Sequence, residues 1–213
     1  MRFYHMDHSG SLREGQRVVP TAVVFPSVSW PPAAALAVVN TFKEDRLSKF
    51  GLRILSPAAS PETADTQSFE FLLDYVRYRF FPNLPNRLSC FFGIPDCTSS
   101  LEKWKGRFAE DASAFRVFEC ESDRIYIADA SVLDRDSSVH VPSSTPSAPG
   151  SAVWKSPFPA LRVDIARQYW KSCVQVPDRS PSRPIPQEVY SGVSLPELLV
   201  PGPVRILRQV EPS

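Results

Sequence analysis

Two residues at opposite ends of the chain have the type and placement that chemistry would use. Glu197 lies in Leu195-Pro196-Glu197-Leu198-Leu199-Val200-Pro201-Gly202-Pro203-Val204-Arg205-Ile206-Leu207. There a carboxylate leads into an apolar strand, a Pro-Gly-Pro turn, and a second strand with apolar residues on alternate positions. An acid at the mouth of a buried strand is poorly placed for solubility and well placed to line a cleft; a solvated strand end is the competing reading. His5 lies in Phe3-Tyr4-His5-Met6-Asp7, a short strand near the other terminus.

Several other machines are missing. The chain has no P-loop, no GxGxxG after a strand, no GxSxG elbow and no HExxH. Its three histidines are His5, His8 and His140, so a hydrolytic triad has few possible bases, and His140 falls in a Ser/Pro-rich stretch. The four cysteines (Cys90, Cys97, Cys120 and Cys173) form no CxxC pair, so zinc spacing is absent and free, mostly buried thiols are expected. No metal is expected. The 24 basic and 23 acidic side chains nearly cancel, which removes any bulk electrostatic drive toward nucleic acid or membrane and leaves only a local basic patch open. No stretch approaches the length of a membrane span, and Met1-Arg2-Phe3-Tyr4-His5 lacks the apolar core of a signal peptide, so a cytoplasmic protein is expected.

Smaller candidates lie between the two ends. Arg87 carries a fork that suits a pyrophosphate, or equally an ion pair. Ser89 is either a plain strand residue or a ribose contact. Tyr169 and Trp170 read as core, with a ring facing a base or nicotinamide as the other possibility. Tyr4 is expected beneath the sheet, and Asp7 is expected to cap the turn after it. Arg179 and Arg183 fall in a Pro/Ser loop that reads as solvated.

These residues need rigid elements to hold them. The 213 residues suffice for one domain with a real core, read here as a single unit over 1–213. A strand is expected over Arg2 to Met6 and extended, irregular chain over Pro20 to Pro32. The apolar stripe Leu36, Val39, Phe42, Leu47 and Phe50 predicts a helix from Ala34 to Phe50, with Gly51 as its C-cap. Phe69, Leu72, Leu73, Val76 and Phe80 predict a second helix from about Thr66, stopped by Pro82. The run from Pro85 to Ile94 reads as a turn entering a buried strand. Ser99-x-x-Glu102 reads as a capping box opening a third helix with Leu101, Trp104 and Phe108 on one face. Phe115 to Cys120 and Arg124 to Asp129 read as a hairpin. The stretch 131–159 is expected to be a mobile loop, with 22 prolines against 8 glycines stiffening many connections. A fourth helix runs from about Pro159 to Cys173, carrying Leu161, Ile165 and Tyr169. The order predicts an α+β fold with a split, mostly antiparallel sheet and flanking helices.

Three segments together resemble the ADP-ribosyltransferase superfamily, in particular its nucleic-acid-directed bacterial toxins, their RNA phosphotransferase relatives and a related uncharacterised bacterial family. Tyr4-His5-Met6-Asp7 with Gly10-Ser11-Leu12 and Gly15-Gln16 resembles the opening strand and loop. Glu197-Leu198-Leu199-Val200-Pro201 resembles the strand whose Glu is catalytic. Pro85-Asn86-Arg87-Leu88-Ser89-Cys90-Phe91-Phe92 falls where the middle motif belongs. The likeness covers about a third of the chain. Phe91 or Phe92 stands where the middle motif has Tyr, so stacking on nicotinamide is retained and a hydroxyl contact is not. Leu195 stands two residues before Glu197, where arginine-modifying members carry Glu or Gln.

The resemblance implies an NAD-dependent transferase that modifies a macromolecule, RNA or DNA slightly favoured over protein, as a bacterial toxin or defence effector with an antitoxin or immunity partner. It implies Glu197 as the carboxylate that stabilises the oxocarbenium-like sugar when the nicotinamide–ribose bond breaks. It implies His5 as the group orienting a ribose hydroxyl and Phe92 as a stacking contact; Arg87, Ser89 and Tyr169 are the further candidate NAD contacts read from the residues themselves. The alternative, kept open by the missing Tyr, is a non-catalytic binding module that retains the fold and has lost NAD.

Overall fold

Strand β1 (Arg2–Asp7) is the centre about which the molecule is built. The computed structural model describes residues 1–22, 46–55, 61–108, 115–135, 160–177 and 183–210. On one side β1 pairs along its whole length with β6 (Arg116–Glu121), from Arg2 opposite Glu121 to Asp7 opposite Arg116. On its other side it meets β5 (Phe91–Pro95) only at Phe3 opposite Pro95 and Tyr4 opposite Ile94. Past Tyr4 the ladder stops, and the His5 ring takes over: its Nδ1–H donates to the Phe92 carbonyl at 2.8 Å.

The remaining strands extend the sheet from both sides. β2 (Arg17–Val18) and β10 (Val204–Val210) lie beyond β6, while β9 (Pro196–Val200), β7 (Tyr126–Asp129) and β8 (Val174–Gln175) lie beyond β5. The eight strands run in the order β2-β10-β6-β1-β5-β9-β7-β8, and each pairing between them is antiparallel. A two-stranded ribbon of β3 (Thr21–Ala22) and β4 (Arg46–Leu47) stands apart. The fold is α+β on one open, antiparallel sheet.

Alternation along the strands divides the core. One face collects Phe3, Phe118, Cys120, Ile127, Leu198, Val200 and Ile206 beneath Tyr190 and Ile185. The other face is covered by α2 (Pro61–Phe80) and α4 (Ala160–Ser172), whose Leu72, Leu73, Val76, Ile165, Tyr169 and Trp170 pack on Cys90, Tyr126 and Leu199. Full burial of each aliphatic side chain contributes about 1.5–3 kcal/mol. Trp170 fixes the two helices to each other by donating its indole N–H to the Leu73 carbonyl at 2.7 Å. A third helix, α3 (Thr98–Arg107), seats Leu101 and Trp104 against Met6, Ile94 and Val117.

Several expectations from the sequence need correction. The predicted hairpin is absent: β6 and β7 belong to opposite halves of the sheet, each paired with strands remote in sequence. The helix expected over Ala34 to Phe50 falls mostly outside the described residues. Where description resumes, Arg46–Leu47 is a strand and α1 occupies Lys49–Leu55. Gly51 lies inside α1 rather than capping a helix, and its requirement is steric, since a Cβ there would stand 2.2 Å from the Leu88 carbonyl oxygen. The N-cap of α3 is Cys97, with no side-chain cap bond, and Glu102 pairs with Lys105 instead of closing a capping box. In the stretch expected to be mobile, Ala130–Arg135 forms a 3-10 turn, and 136–159 lies outside the described residues.

Candidate functional site

Where β1 and β5 cease to pair, a cavity of about 540 Å³ opens. That is within the range of small-molecule sites. His5, Asp7 and Phe92 line it together with Lys49, Phe50 and Arg53 of α1. The position of His5 follows from its place on β1, one residue past the last pair to β5. Because a carbonyl can only accept, Nδ1 carries the proton, and Nε2 is left as a hydrogen-bond acceptor. Burial pushes the imidazole down to about 4, although the Phe92 bond and Asp7 favour the charged form. His5 is therefore a neutral acceptor near pH 7. Its ring packs against Phe91 with centroids 4.1 Å apart.

Asp7 organises the loop that forms one rim. Its Oδ1 accepts from the Ser9 backbone N–H and hydroxyl, its Oδ2 from Leu12 N–H, and Arg116 adds a charged contact at 3.0 Å. Burial opposes its charge, but these bonds outweigh burial and hold the carboxyl down at about 2. The expected capping role is observed. Lys49 and Arg53 also line the cavity; Lys49 Nζ donates to Ser11 Oγ of the Asp7 loop at 2.5 Å, and Arg53 rests over the Phe50 ring.

Behind the cavity is a second, fully interior cluster. Asn86 Oδ1 accepts from Leu88 N–H at 2.9 Å and opens a 3-10 turn (Arg87–Ser89) that directs Arg87 inward. The Arg87 guanidinium donates to Glu70 of α2 at 3.0 Å, to the Tyr169 hydroxyl at 2.8 Å, and to Glu197 at the start of β9. Tyr169 in turn donates to Glu197 Oε2 at 2.7 Å. Glu70, Arg87 and Glu197 are exposed by 7 %, 7 % and 5 %, so this is a structural-interior arrangement rather than a surface ion pair. Burial alone would discharge Arg87, but Glu197 and Glu70 hold it firmly protonated. Burial raises Glu70 against the pull of Arg87, and burial also raises the Tyr169 phenol well above its ordinary value.

Of the residues singled out from sequence, two groups emerge. His5 and Phe92 line the cavity; Arg87, Tyr169 and Glu197 form the buried cluster; Ser89 lies in the 3-10 turn, not in a strand, with its Oγ buried and without a hydrogen-bond partner among the described residues. The strands of His5, Phe92 and Glu197 are neighbours, as expected. Their side chains do not share one pocket. Pairing puts Phe91 opposite Val200 and Phe92 opposite Leu199, so Glu197 projects with Leu199 and Phe92, whereas His5 projects with Phe3 and Phe91. Glu197 does not line the cavity. The two groups meet at an aromatic wall, where Arg87 Cζ lies 4.7 Å from the Phe92 ring centroid and 5.8 Å from that of Phe50.

Sequence reasoning missed Glu70, Lys49 and Arg53. A signal for Glu70 was present: Glu70, Asp74 and Arg77 recur at helical spacing beside Leu73, placing charges on the buried face of α2. Among the described residues no group of three or more His, Cys, Asp or Glu could hold a metal ion, the four cysteines are free, and no helix is long and apolar enough to cross a membrane.

Residues 41–180, about two-thirds of the chain, match the family described as protein of unknown function (DUF2441). The matched span takes in α1, the Arg87 turn, β5 and Tyr169, and leaves out His5 and Glu197. No curated protein matches the sequence.

Proposed function

We propose that this chain, which belongs to the DUF2441 family of unknown function, is a binding module for NAD or a close nucleotide relative, built on an ADP-ribosyltransferase-like split sheet. Three features support the nucleotide reading. The strands bearing the three motif segments are adjacent, and the ladder between β1 and β5 gives out after Tyr4. His5 offers Nε2 as an acceptor for a ribose hydroxyl. Phe50, Phe91 and Phe92 supply flat rings around the cavity, and a base or nicotinamide stacks on such rings.

The observation that carries the non-catalytic side is the state of Glu197. Stabilising an oxocarbenium-like sugar needs an available carboxylate aimed at the ribose. Glu197 instead is neutralised by Arg87, hydrogen-bonded by Tyr169, and absent from the cavity lining. Its charge is used to hold α2, β9 and α4 together. The test is calorimetric titration of NAD into the full chain, with nicotinamide release followed in the same samples. Binding without release is expected. Absence of any binding overturns the nucleotide reading; sustained release overturns the non-catalytic one.

One observation favours the transferase reading: the Phe92 ring touches both the cavity and Arg87. The transferase reading requires a rearrangement of that ring that draws Arg87 toward Glu70, breaks the Tyr169 bond to Glu197 and turns Glu197 to the cavity, which it does not line here. The chain would then transfer ADP-ribose from NAD to a macromolecule, RNA or DNA before protein, as a toxin or defence effector with an antitoxin or immunity partner. Labelled transfer from NAD onto mixed protein, RNA and DNA tests it, and absence of label on all three excludes it.

A further inference from the structure

We infer that Lys49 and Arg53, on one face of α1, are the phosphate anchor of the cavity and make it selective for phosphorylated ligands. The inference rests on the cavity being the nucleotide site proposed above, but its basis is separate from the three motif segments. Lys49 and Arg53 are four residues apart, which places neighbouring side chains on the same helical face with Cβ atoms about 5–6 Å apart. Both line the cavity and both are exposed to solvent within it. Among the described residues neither forms an ion pair with a carboxylate; Lys49 donates to Ser11 Oγ, and Arg53 lies over Phe50 and feels the buried Glu70 carboxylate at longer range.

The balance of charge around the cavity is one-sided. Arg17 joins Lys49 and Arg53 on its wall, while Asp7 is the one carboxylate among the described lining residues. Asp7 is already committed to Arg116 and to the backbone of its own loop. His5 contributes no positive charge near neutral pH and sits across from Lys49 as an acceptor. A ligand that suits this arrangement carries a negative group toward α1, a hydroxyl toward His5, and a flat ring among Phe50, Phe91 and Phe92. A phosphoryl group provides the charge and the several acceptor oxygens that an Arg and a Lys engage together. Free pyrophosphate and a nucleotide share that chemistry.

The experiment titrates NAD, ADP, inorganic pyrophosphate and adenosine into the wild-type chain and into the double variant Lys49→Ala/Arg53→Ala. Both substituted side chains are solvent-exposed, and an unchanged thermal midpoint establishes that the variant is folded. The expected result is a loss of about 10- to 100-fold in affinity for NAD and ADP, consistent with losing one or two charge-assisted hydrogen bonds, and no change for adenosine. A further variant, Lys49→Arg, should recover most of the single-site loss seen with Lys49→Ala. Wild type that binds ADP and pyrophosphate but not NAD, with binding lost in the double variant, supports the anchor and removes the NAD reading. Wild type that binds NAD and a double variant that binds it equally well overturns the anchor and leaves the NAD reading standing. Failure of wild type to bind any of the four overturns both.

Discussion

Phe92 joins the two chemical regions of this protein through Arg87: its ring centroid lies 4.7 Å from the guanidinium carbon, while its opposite environment is the cavity that His5 lines. The backbone carbonyl of the same residue accepts the His5 Nδ1–H. One strand residue therefore fixes the tautomer of the cavity histidine and closes off the buried carboxylates. The ring is suited to this position because its apolar face accepts a guanidinium as a cation–π partner without demanding a hydrogen bond.

The buried cluster should dominate stability through Arg87. Removing it leaves Glu70 and Glu197 without their shared cation, and breaking a buried pair in that way costs about 3–5 kcal/mol. Arg87→Met should therefore lower the unfolding free energy by that order. Glu197→Gln, which keeps an acceptor for Tyr169 and leaves Arg87 paired with Glu70, should cost about 1–2 kcal/mol. Urea denaturation followed by fluorescence measures both. Equal, small effects would show that the cluster is not the structural element described here.

The cavity histidine should titrate far below its usual range. With a folded value of about 4 against 6.5, His5 binds its proton in the unfolded chain before it does so in the folded one. Its contribution to stability is complete above pH 6.5 and declines as pH falls from 6.5 toward 4, because the unfolded state then holds more protons. The loss amounts to at most about 3 kcal/mol, reduced by solvent in the cavity. Burial raises Glu70, which acts in the opposite direction over the acid range. Comparing wild type with His5→Gln across this window removes the Glu70 part. NMR titration of the imidazole reads the value directly, and a midpoint near 6.5 would contradict the account.

Close approach at two glycines should make them intolerant of alanine. At Gly51 a Cβ would meet the Leu88 carbonyl oxygen at 2.2 Å, and at Gly93 the Phe3 ring at 2.4 Å. Overpacking of this kind costs about 1–3 kcal/mol. Gly51→Ala involves backbone, which yields less readily than a side chain, so it should be the more destabilising of the two. It should also weaken ligand binding, since α1 carries Lys49 and Arg53. Gly106, with nothing near its Cβ position, should accept alanine without loss. Thermal midpoints of the three variants decide the order.

Much of the framework was legible because it depends on local pattern. The apolar stripes of α2 and α4, the strand at Arg2–Asp7 and the terminal strands around Pro201–Pro203 each follow from short-range periodicity. Strand partnership did not follow. The polar link after Glu121 resembles a hairpin turn, yet the full-length ladder of β6 with β1 and with β10 binds it to distant chain, and β7 crosses to β9. The site was legible by residue but not by grouping. Glu197 and His5 lie on motif strands that flank β5 on either side, and only the register shows that they project to different faces. Lys49 and Arg53 gave no signal of their own, because two cations one helical turn apart look like a solvated face until a cavity is seen in front of them.

The central claim is that Glu197 holds the interior together and does not assist cleavage of NAD. It is tested most directly by following nicotinamide release from NAD over hours with the wild-type chain and with Glu197→Gln, at matched concentrations and with binding verified for each. The account predicts that both bind NAD with similar affinity, that neither releases nicotinamide above the uncatalysed rate, and that the variant differs only in its lower stability. Release by wild type, reduced about 100- to 1000-fold by Glu197→Gln as expected for loss of one well-placed electrostatic partner, would contradict it and make Glu197 the catalytic carboxylate.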